Sequence, residues 1–157
     1  MKRRRDRGFT LAELVITTAI MAVIAGIGLP NFVEYLPRIR LNGATRQIMT
    51  DLMVARMNAV KFACNSTVTF SGNSYTIWVD RDRDGVRDAG EQTVKNITNS
   101  FSDVTIIVGQ TVRFNSRGAA PTNGWIWLYN TKGYGLINTN LTGRVRIYRY
   151  LYDVGYV

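Results

Sequence analysis

The sequence contains no histidine and one cysteine, Cys64. Histidine is the commonest general base near neutral pH and the commonest zinc ligand, so its absence excludes histidine-based catalysis. A lone cysteine cannot form an intramolecular disulfide, and without a histidine partner Cys64 is interpreted as a small buried apolar residue near a helix end. Because the sequence offers no candidate general base to activate a nucleophile, it predicts a protein that is not an enzyme.

Acidic residues are also scarce, since 11 Asp and Glu accompany 20 Lys and Arg and the formal net charge is +9. Residues 1 to 8 hold five basic side chains and one acidic side chain, a net charge of +4, which leaves +5 on the rest. A basic surplus of this size raises nucleic acid or an anionic surface as a partner. The 157 residues have room for one globular head and a membrane segment.

An apolar run occupies residues 9 to 29. As a helix it is about 31 Å long, which matches the roughly 30 Å of hydrocarbon in a bilayer. The basic residues ahead of this run predict that residues 1 to 8 stay in the cytoplasm and that the rest is exported. A signal peptide and a plain anchor are the alternatives, but neither explains Glu13, because a carboxylate in a spanning helix costs about 2 to 3 kcal/mol.

The segment GFTLAEL at residues 8 to 14 closely resembles the class III signal of type IV pilins and pseudopilins. This resemblance implies that a prepilin peptidase cleaves after Gly8 and that the new amino terminus, Phe9, is methylated. It also implies that Glu13, the fifth residue of the mature chain, pairs with the terminal ammonium of a neighbouring subunit. The carboxylate is then tolerated in the membrane because assembly neutralises it.

Four segments are predicted: a cleaved leader at 1 to 8, a transmembrane and assembly half of a long helix at 9 to 29, the remainder of that helix at 30 to 64, and a β-rich globular head at 65 to 157. Glycines and a proline predict a kink or locally melted turn at residues 26 to 30. The later half of the helix has an apolar stripe, which should pack against the head, at Ile48, Leu52, Ala55, Ala59 and Phe62.

In the head the apolar period changes from about 3.6 to about two, which indicates strands. STVTF and SYTIWV, joined by Gly72 and Asn73, predict a hairpin with a tight turn. Further strands are predicted at TVKNI, VTIIV, TVRFN, WIWLY, YGLIN and RVRIYRYLY. The predicted fold class is α+β and pilin-like, with the long N-terminal helix packed against a C-terminal antiparallel head of two small sheets.

Two short motifs in the head narrow the resemblance. FNSRG at residues 114 to 118 and GRVRI at residues 143 to 147 resemble the GspH/FimT group of minor pilins and pseudopilins. FimT-like minor pilins of naturally transformable bacteria are associated with DNA uptake, and a C-terminal GRxR motif is implicated in their DNA binding. Similar ends also occur in relatives linked to secretion.

The C-terminal stretch GRVRIYRYLYDV is a candidate DNA-binding strand. As a strand it places Arg144, Arg146, Tyr148, Tyr150 and Tyr152 on one face. Guanidinium groups bind phosphate bidentately, and tyrosine rings offer a surface for bases or sugars. An edge strand kept soluble by arginines is the structural alternative. The residues predicted to bind double-stranded DNA without sequence preference are Gly143, Arg144, Arg146, Arg149, Arg117 and Lys132.

The loop DRDRDGVRDAGE, residues 80 to 91, has the spacing of a calcium-binding loop. A strand precedes it where such loops usually follow a helix, and three arginines lie among its acids. The alternatives are a structural Ca²⁺ site and a solvated, salt-bridged excursion with a turn at Asp84 and Gly85. No cofactor is required. The predicted metal ligands are Asp80, Asp82, Asp84, Val86 through its carbonyl, Asp88 and Glu91.

The predicted function is that of a minor type IV pilin, incorporated into a pilus, whose basic strand binds DNA for natural transformation. The alternative is a minor pseudopilin of a type II secretion system with a structural, protein-binding head. The expected partners are a prepilin peptidase, other pilins or pseudopilins, the inner membrane and DNA. The expected location is the bacterial inner membrane, single-pass with the head in the periplasm, and then the pilus or pseudopilus.

Overall fold

A computed structural model describes residues 9 to 151, except for the side chains of residues 29 to 31, 89 and 149 to 151. Helix α1 is one continuous element, Leu11–Lys61, of 51 residues. Its first part, Leu11–Gly28, is long and apolar enough to cross a membrane by length and composition, with mean hydropathy 2.1. The chain divides into two compact units, one up to Leu36 and one from Pro37 onward.

Of the predicted kink or locally melted turn at residues 26 to 30, the melted turn is wrong, because α1 is helical through these residues, and the kink stays a prediction. Proline removes one backbone donor from the helical ladder. Here the loss of that donor does not interrupt α1.

The described part of the head contains eight strands and two short 3-10 turns. The turns are Ala89–Glu91 and Ile97–Asn99. The strands are β1 Asn65–Ser71, β2 Ser74–Asp80, β3 Gln92–Asn96, β4 Thr105–Gly109, β5 Val112–Phe114, β6 Gly124–Asn130, β7 Gly133–Thr139 and β8 Val145–Leu151.

These strands form two antiparallel four-stranded sheets. The first sheet has the order β3-β2-β1-β5 and the second has the order β4-β6-β7-β8. The predicted hairpin is present, with Ser71 opposite Ser74 across the Gly72–Asn73 turn. β4 and β5 are separated by only Gln110 and Thr111, yet they belong to different sheets. The predicted α+β architecture with two small sheets is confirmed.

The core lies between the sheets and the second half of α1. Along the predicted stripe Ile48, Leu52, Ala55 and Ala59 are fully buried, and Phe62 packs against them partly buried. The burial of apolar surface, at about 25 cal/mol per Å², is the main stabilising contribution here. β7 approaches the helix so closely that a side chain in place of Gly135 would overlap the Thr45 hydroxyl.

One buried polar cluster joins α1 to the first sheet. The Asp51 carboxylate accepts a hydrogen bond of 2.5 Å from the Tyr75 hydroxyl and one of 2.7 Å from the Lys95 ammonium. Burial, and then the bond to Asp51, raise the pKa of Tyr75 above its ordinary value. Tyr75 therefore stays a protonated donor, and the cluster holds β2 and β3 to the helix.

Candidate functional site

The first turn of α1 gives Glu13 a local partner. Thr10 precedes the helix, and its Oγ1 accepts a hydrogen bond of 3.2 Å from the Glu13 backbone N–H. In return the Glu13 carboxylate accepts long bonds of 3.5 Å from the Thr10 backbone N–H and hydroxyl. This reciprocal pair is a capping box, which satisfies backbone donors that have no partner within the helix. Sequence reasoning missed this cap, although Thr-x-x-Glu spacing is its usual sequence signature.

The predicted processing site lies at the edge of the described residues. Phe9 is described and exposed. Gly8 and the rest of the predicted leader, residues 1 to 8, lie outside the described residues. Cleavage after Gly8 and methylation of Phe9 remain predictions.

Two glycines from separate motifs meet at the start of β8. Gly143 has a φ of 73°, a left-handed conformation that favours glycine, and a side chain there would overlap the Gly118 carbonyl oxygen. Arg56, on α1, donates to that carbonyl through Nε at 2.8 Å and to the Thr142 carbonyl through Nη2 at 3.3 Å. We call Gly118, Gly143 and Arg56 the glycine junction. It brings the FNSRG and GRVRI motifs into contact.

The glycine junction also brings two predicted arginines together. Arg117 precedes Gly118 and Arg144 follows Gly143, so each lies one residue from the same contact, and both side chains are exposed. Asparagine side chains hold both backbones, since Asn115 Oδ1 accepts from the Arg117 N–H at 3.0 Å and Asn140 Oδ1 accepts from the Arg144 N–H at 2.9 Å. Arg117 and Arg144 thus lie together at one end of the second sheet, and we call this pair the basic cluster.

The other predicted DNA-binding residues lie along β8 or beyond it. Arg146 is exposed, two residues along the strand from Arg144. Arg149 pairs with Gly135 through its backbone, and its side chain is outside the description. Lys132 lies in the β6–β7 turn, at the opposite end of β7 from the glycine junction. The seven-residue strand between them spans about 20 Å, so Lys132 does not belong to the basic cluster.

Aromatic side chains cover the outer face of the second sheet. β6 alternates buried and exposed residues, with Trp125 and Trp127 exposed. Through β7, Trp125 lies in register with Arg146, and Trp127 lies in register with Tyr148. Sequence reasoning missed these tryptophans, although the alternation in WIWLY places them on one face. It also missed Arg56, whose long-range contacts have no local signal.

The structure brings together three of the six predicted metal ligands. Carboxylate oxygens of Asp80, Asp82 and Asp84 lie within 4.8 Å of one another. Each also holds the turn, because Asp80 accepts from the Gly85 N–H at 3.3 Å, Asp82 accepts from the Asp84 N–H at 3.3 Å, and Asp84 accepts from the Val86 N–H at 2.7 Å. The calcium site remains a prediction, and the Val86 carbonyl remains its untested ligand.

The two later acids of the loop are not part of that cluster in the described structure. Glu91 accepts hydrogen bonds from the Arg81 backbone N–H at 2.6 Å and from Trp78 Nε1 at 3.3 Å. Asp88 is exposed. Glu91 therefore closes the base of the loop.

Two of the three arginines of this loop contact aromatic rings, and the third, Arg83, donates through Nη2 to the Phe62 carbonyl at 3.4 Å. The Arg81 guanidinium lies 4.6 Å from the centre of the Phe62 ring, and that of Arg87 lies 5.8 Å from the Trp78 ring. Within the described loop no arginine lies within 4.0 Å of a carboxylate oxygen. Of the predicted solvated, salt-bridged excursion, the salt bridges are therefore contradicted within the described loop, whereas residues 81 to 88 are exposed as expected. The expected turn is present, with Gly85 at a φ of 75°.

Cys64 is buried beside this loop. Burial and then the Asp80 carboxylate raise the pKa of its thiol. A raised pKa keeps the sulfur protonated at neutral pH, which is the opposite of what a nucleophile needs. The interpretation of Cys64 as a buried apolar residue agrees with this environment.

Two family models match the chain. The model described as Type II transport protein GspH matches residues 44–143. The model described as Prokaryotic N-terminal methylation motif matches residues 3–29. The first covers the second half of α1 and most of the head, and the second covers the apolar run with its basic flank.

Curated relatives are pilins. The chain is 30% identical over 89 residues to Pilin-like protein PilA1 of Thermus thermophilus, which is 55% of this chain and 56% of the relative. It is 50% identical over 34 residues to Type IV major pilin protein PilA of Myxococcus xanthus, which is 22% of this chain and 16% of the relative. The chain thus spans about half of one relative and less of the other.

Solved structures show the same fold. The type IV minor pilin FimU of Pseudomonas aeruginosa superposes with a TM-score of 0.54 at 18% identity, over 71% of this chain and 90% of FimU. A second crystal form gives a TM-score of 0.52 at 17% identity. Because the GspH model matches residues 44–143, well over half of the sequence, the chain belongs to the GspH family of type IV pilin-like minor pilins and pseudopilins.

Proposed function

We propose that this chain is a minor type IV pilin that joins a pilus through its apolar helix and binds double-stranded DNA without sequence preference, for uptake in natural transformation. The observation that carries the proposal is the glycine junction, which sets Arg117 and Arg144 beside one contact. Arg146 adds a third exposed guanidinium on β8. Guanidinium groups bind phosphate oxygens bidentately and without reading base sequence.

Protection of a sheet edge explains only part of this charge. β8 is an edge of the second sheet in the described topology, and arginines on an edge strand oppose aggregation. Arg117, however, lies in the connection between β5 and β6 and on no edge strand. An extended basic cluster built from two motifs favours an anionic partner over edge protection alone.

The test uses the full chain in nanodiscs of zwitterionic lipid, titrated against a labelled duplex of mixed sequence. In Arg144→Gln with Arg146→Gln we expect the affinity at about 0.1 M salt to fall about tenfold or more, because two phosphate contacts are lost. The slope of log affinity against log salt should flatten by about 2. Residues 1 to 8 are the same in every variant, so their charge cancels in the comparison.

The matched control removes the same charge elsewhere. Arg46→Gln with Arg87→Gln changes two exposed arginines, one on α1 and one in the acidic loop. We expect this variant to retain most of the duplex affinity. Equal losses in the two double variants would show that only net charge matters, and unchanged binding in the first variant would contradict the proposed site.

We propose further that the chain is cleaved by a prepilin peptidase after Gly8, methylated at Phe9 and assembled from the inner membrane, with the head in the periplasm. The methylation-motif match at residues 3–29 and the apolar span Leu11–Gly28 support this. Mass spectrometry of the chain recovered from a piliated host tests it, since a retained leader contradicts it.

Glu13 is proposed to supply the charge that pairs with the amino terminus of a neighbouring subunit. The capping box allows this role to be separated from a local one. Glu13→Gln keeps the side-chain acceptor that caps the helix but loses the charge, whereas Glu13→Ala loses both. If the charge matters, both variants fail to enter filaments. If Glu13→Gln enters sheared filaments like the wild type, the cap alone is sufficient.

A minor pseudopilin of a type II secretion system is the second candidate. The match to the Type II transport protein GspH family favours it, and so does an exposed apolar strip on α1 at Met53, Met57 and Val60. Such a strip suits contacts with another protein. The two candidates separate on the wild type, since a pseudopilin head has no need of salt-dependent duplex binding.

A further inference from the structure

The outer face of the second sheet carries a set of rings that the proposed function does not use. Along β6, Trp125, Trp127 and Tyr129 point away from the core, while Ile126 and Leu128 between them are fully buried. Two more rings come from the neighbouring strands. We call this surface the aromatic face, and its members are Trp125, Trp127, Tyr129, Tyr134 and Tyr148.

Four of the five rings of the aromatic face are about two fifths exposed. Trp125 is 38% exposed, Trp127 43%, Tyr129 41% and Tyr148 39%. The Tyr129 and Tyr134 rings lie 6.4 Å apart with an angle of 34° between their planes, so they cover little of each other. A contiguous exposed aromatic surface on a soluble head marks a binding site more often than chance exposure.

The charge around the aromatic face suits an anion. None of the four strands of the second sheet, β4, β6, β7 and β8, contains Asp or Glu. Arg146 lies in the same cross-strand row as Trp125, with Asn138 between them. The basic cluster at the glycine junction continues from the same end of β8. Arg146 and the rings of Trp125, Trp127 and Tyr148 thus lie on the same face of the second sheet.

The spacing of the rings selects the form of the ligand. Alternate residues of a strand are about 7 Å apart, whereas successive bases in a duplex strand are about 3.4 Å apart. Bases of a duplex are stacked on one another and cannot lie flat on a protein surface. Unstacked bases of a single strand can separate and stack singly on aromatic rings. The aromatic face therefore fits an opened strand better than a duplex.

We propose that the aromatic face binds single-stranded nucleic acid, with bases stacked on Trp125 and Trp127 and the phosphate backbone held by Arg146 and the basic cluster. This inference rests on the proposed DNA binding of the head and names a second form of DNA for it. The head then binds duplex at the basic cluster and holds opened or frayed strands on the adjoining rings. Binding is tolerant of sequence, because every base has a face that can stack.

The experiment measures two ligands, oligo(dT) and a duplex, on the full chain in nanodiscs of zwitterionic lipid. We expect Trp125→Leu with Trp127→Leu to lower the affinity for oligo(dT) at least about tenfold, with the duplex affinity changed less than twofold. Leucine keeps the face apolar. Trp78→Leu, on the first sheet, is the matched tryptophan control and should leave both affinities unchanged.

Tryptophan fluorescence gives a second readout that charge alone does not move. Stacked bases quench indole emission, so oligo(dT) should quench the wild type and Trp78→Phe, and duplex should quench neither. If the double leucine variant unfolds at a lower temperature, Trp127→Leu alone replaces it. A loss of oligo(dT) affinity at unchanged melting temperature supports the proposal, and unchanged affinity overturns it.

The outcomes separate this inference from the proposed function. Suppose that the wild type binds duplex and that Trp125→Leu with Trp127→Leu keeps the full affinity for oligo(dT). That result overturns the inference and leaves the proposed function intact. Wild type that binds oligo(dT) with quenching but no duplex supports the inference and contradicts duplex capture. If the leucine variant instead loses self-association in sedimentation and keeps its oligo(dT) affinity, the face binds protein and the inference is overturned.

Discussion

The two sheets of the head have the same number of strands, but their outer faces carry different kinds of side chain. On the first sheet the outward rows are mostly polar residues, among them Thr67, Thr69 and Thr76, and its one tryptophan, Trp78, is contacted by Arg87 and Glu91 from the acidic loop. On the second sheet Trp125 and Trp127 have no such cover within the described residues. The first sheet therefore covers its outer tryptophan with side chains of the same chain, whereas the second leaves Trp125 and Trp127 exposed.

The two glycine turns beside these sheets differ in the same way. Gly85, in the acidic loop of the first sheet, has a φ of 75° and open space around it. Gly143, at the start of β8, has almost the same φ of 73° but lies against the Gly118 carbonyl. The turn at Gly85 has room for a side chain, whereas the turn at Gly143 holds the FNSRG and GRVRI motifs against each other. Of these two turns, the one at the end of the second sheet therefore positions the candidate DNA-binding arginines.

The largest effect is expected from Gly143→Ala compared with Gly85→Ala. Both changes place a side chain at positive φ, which costs about 1 to 2 kcal/mol. Only the first also forces the backbone away from Gly118, so we expect it to lower the free energy of unfolding by about 2 to 4 kcal/mol in total. Urea unfolding followed by tryptophan fluorescence measures both. Equal losses would show that the contact between the two glycines contributes nothing.

An intermediate effect is expected on the inner side of the first sheet. Tyr75→Phe removes a hydrogen bond to a buried carboxylate, which costs about 2 kcal/mol at neutral pH. In the folded chain the pKa of Tyr75 is raised above its ordinary value of 10.0, so the folded state keeps a proton that the unfolded state loses. The wild type then keeps its full stability below about pH 10 and loses some of it as the pH rises further.

The check is the free energy of unfolding of wild type and variant from neutral to alkaline pH. The difference between them should shrink above pH 10, because Tyr75→Phe has no such proton to hold. Tyr148→Phe, on the exposed face of the second sheet, is the control and should change neither stability nor its pH dependence. A constant difference across the alkaline range would contradict the role given to the Tyr75 proton.

The smallest effect is expected from calcium at the acidic loop. If Asp80, Asp82 and Asp84 bind Ca²⁺ with the millimolar affinity of extracellular modules, 10 mM calcium, about ten times that dissociation constant, adds about 1.4 kcal/mol of stability. This corresponds to a rise in melting temperature of about 3 to 6 °C. Asp82→Asn with Asp84→Asn should abolish the rise. An unchanged melting temperature of the wild type would leave the carboxylates with their turn-forming role alone.

Sequence reasoning located every strand of the described head, because each is a short run of period two bounded by Gly, Asn or Pro. It located the buried stripe Ile48, Leu52, Ala55 and Ala59 for the same reason, since both periods are local. It did not give the sheet order. β5 follows β4 by two residues but pairs with β1, and that choice depends on contacts between residues more than forty positions apart.

The candidate sites show the same difference between local patterns, which the sequence reveals, and long-range contacts, which it does not. The acids at residues 80 to 91 and the arginines of β8 were visible as spacing. The placement of Arg117 beside Arg144 was not, because it depends on Gly143 meeting Gly118. Lys132 was grouped with them on charge alone, and the register of β7 separates it.

The short link of Gln110 and Thr111 has a consequence for the order in which the head is made. The first sheet lacks its last strand until Val112–Phe114 is available, by which time β4, the first strand of the second sheet, has already been synthesised. The first sheet is therefore completed only after the first strand of the second sheet has been made, and the two-residue link ties the two sheets together. The head should fold in one cooperative step that is slowed by long loop closure, so a chain interrupted after β4 yields no stable intermediate.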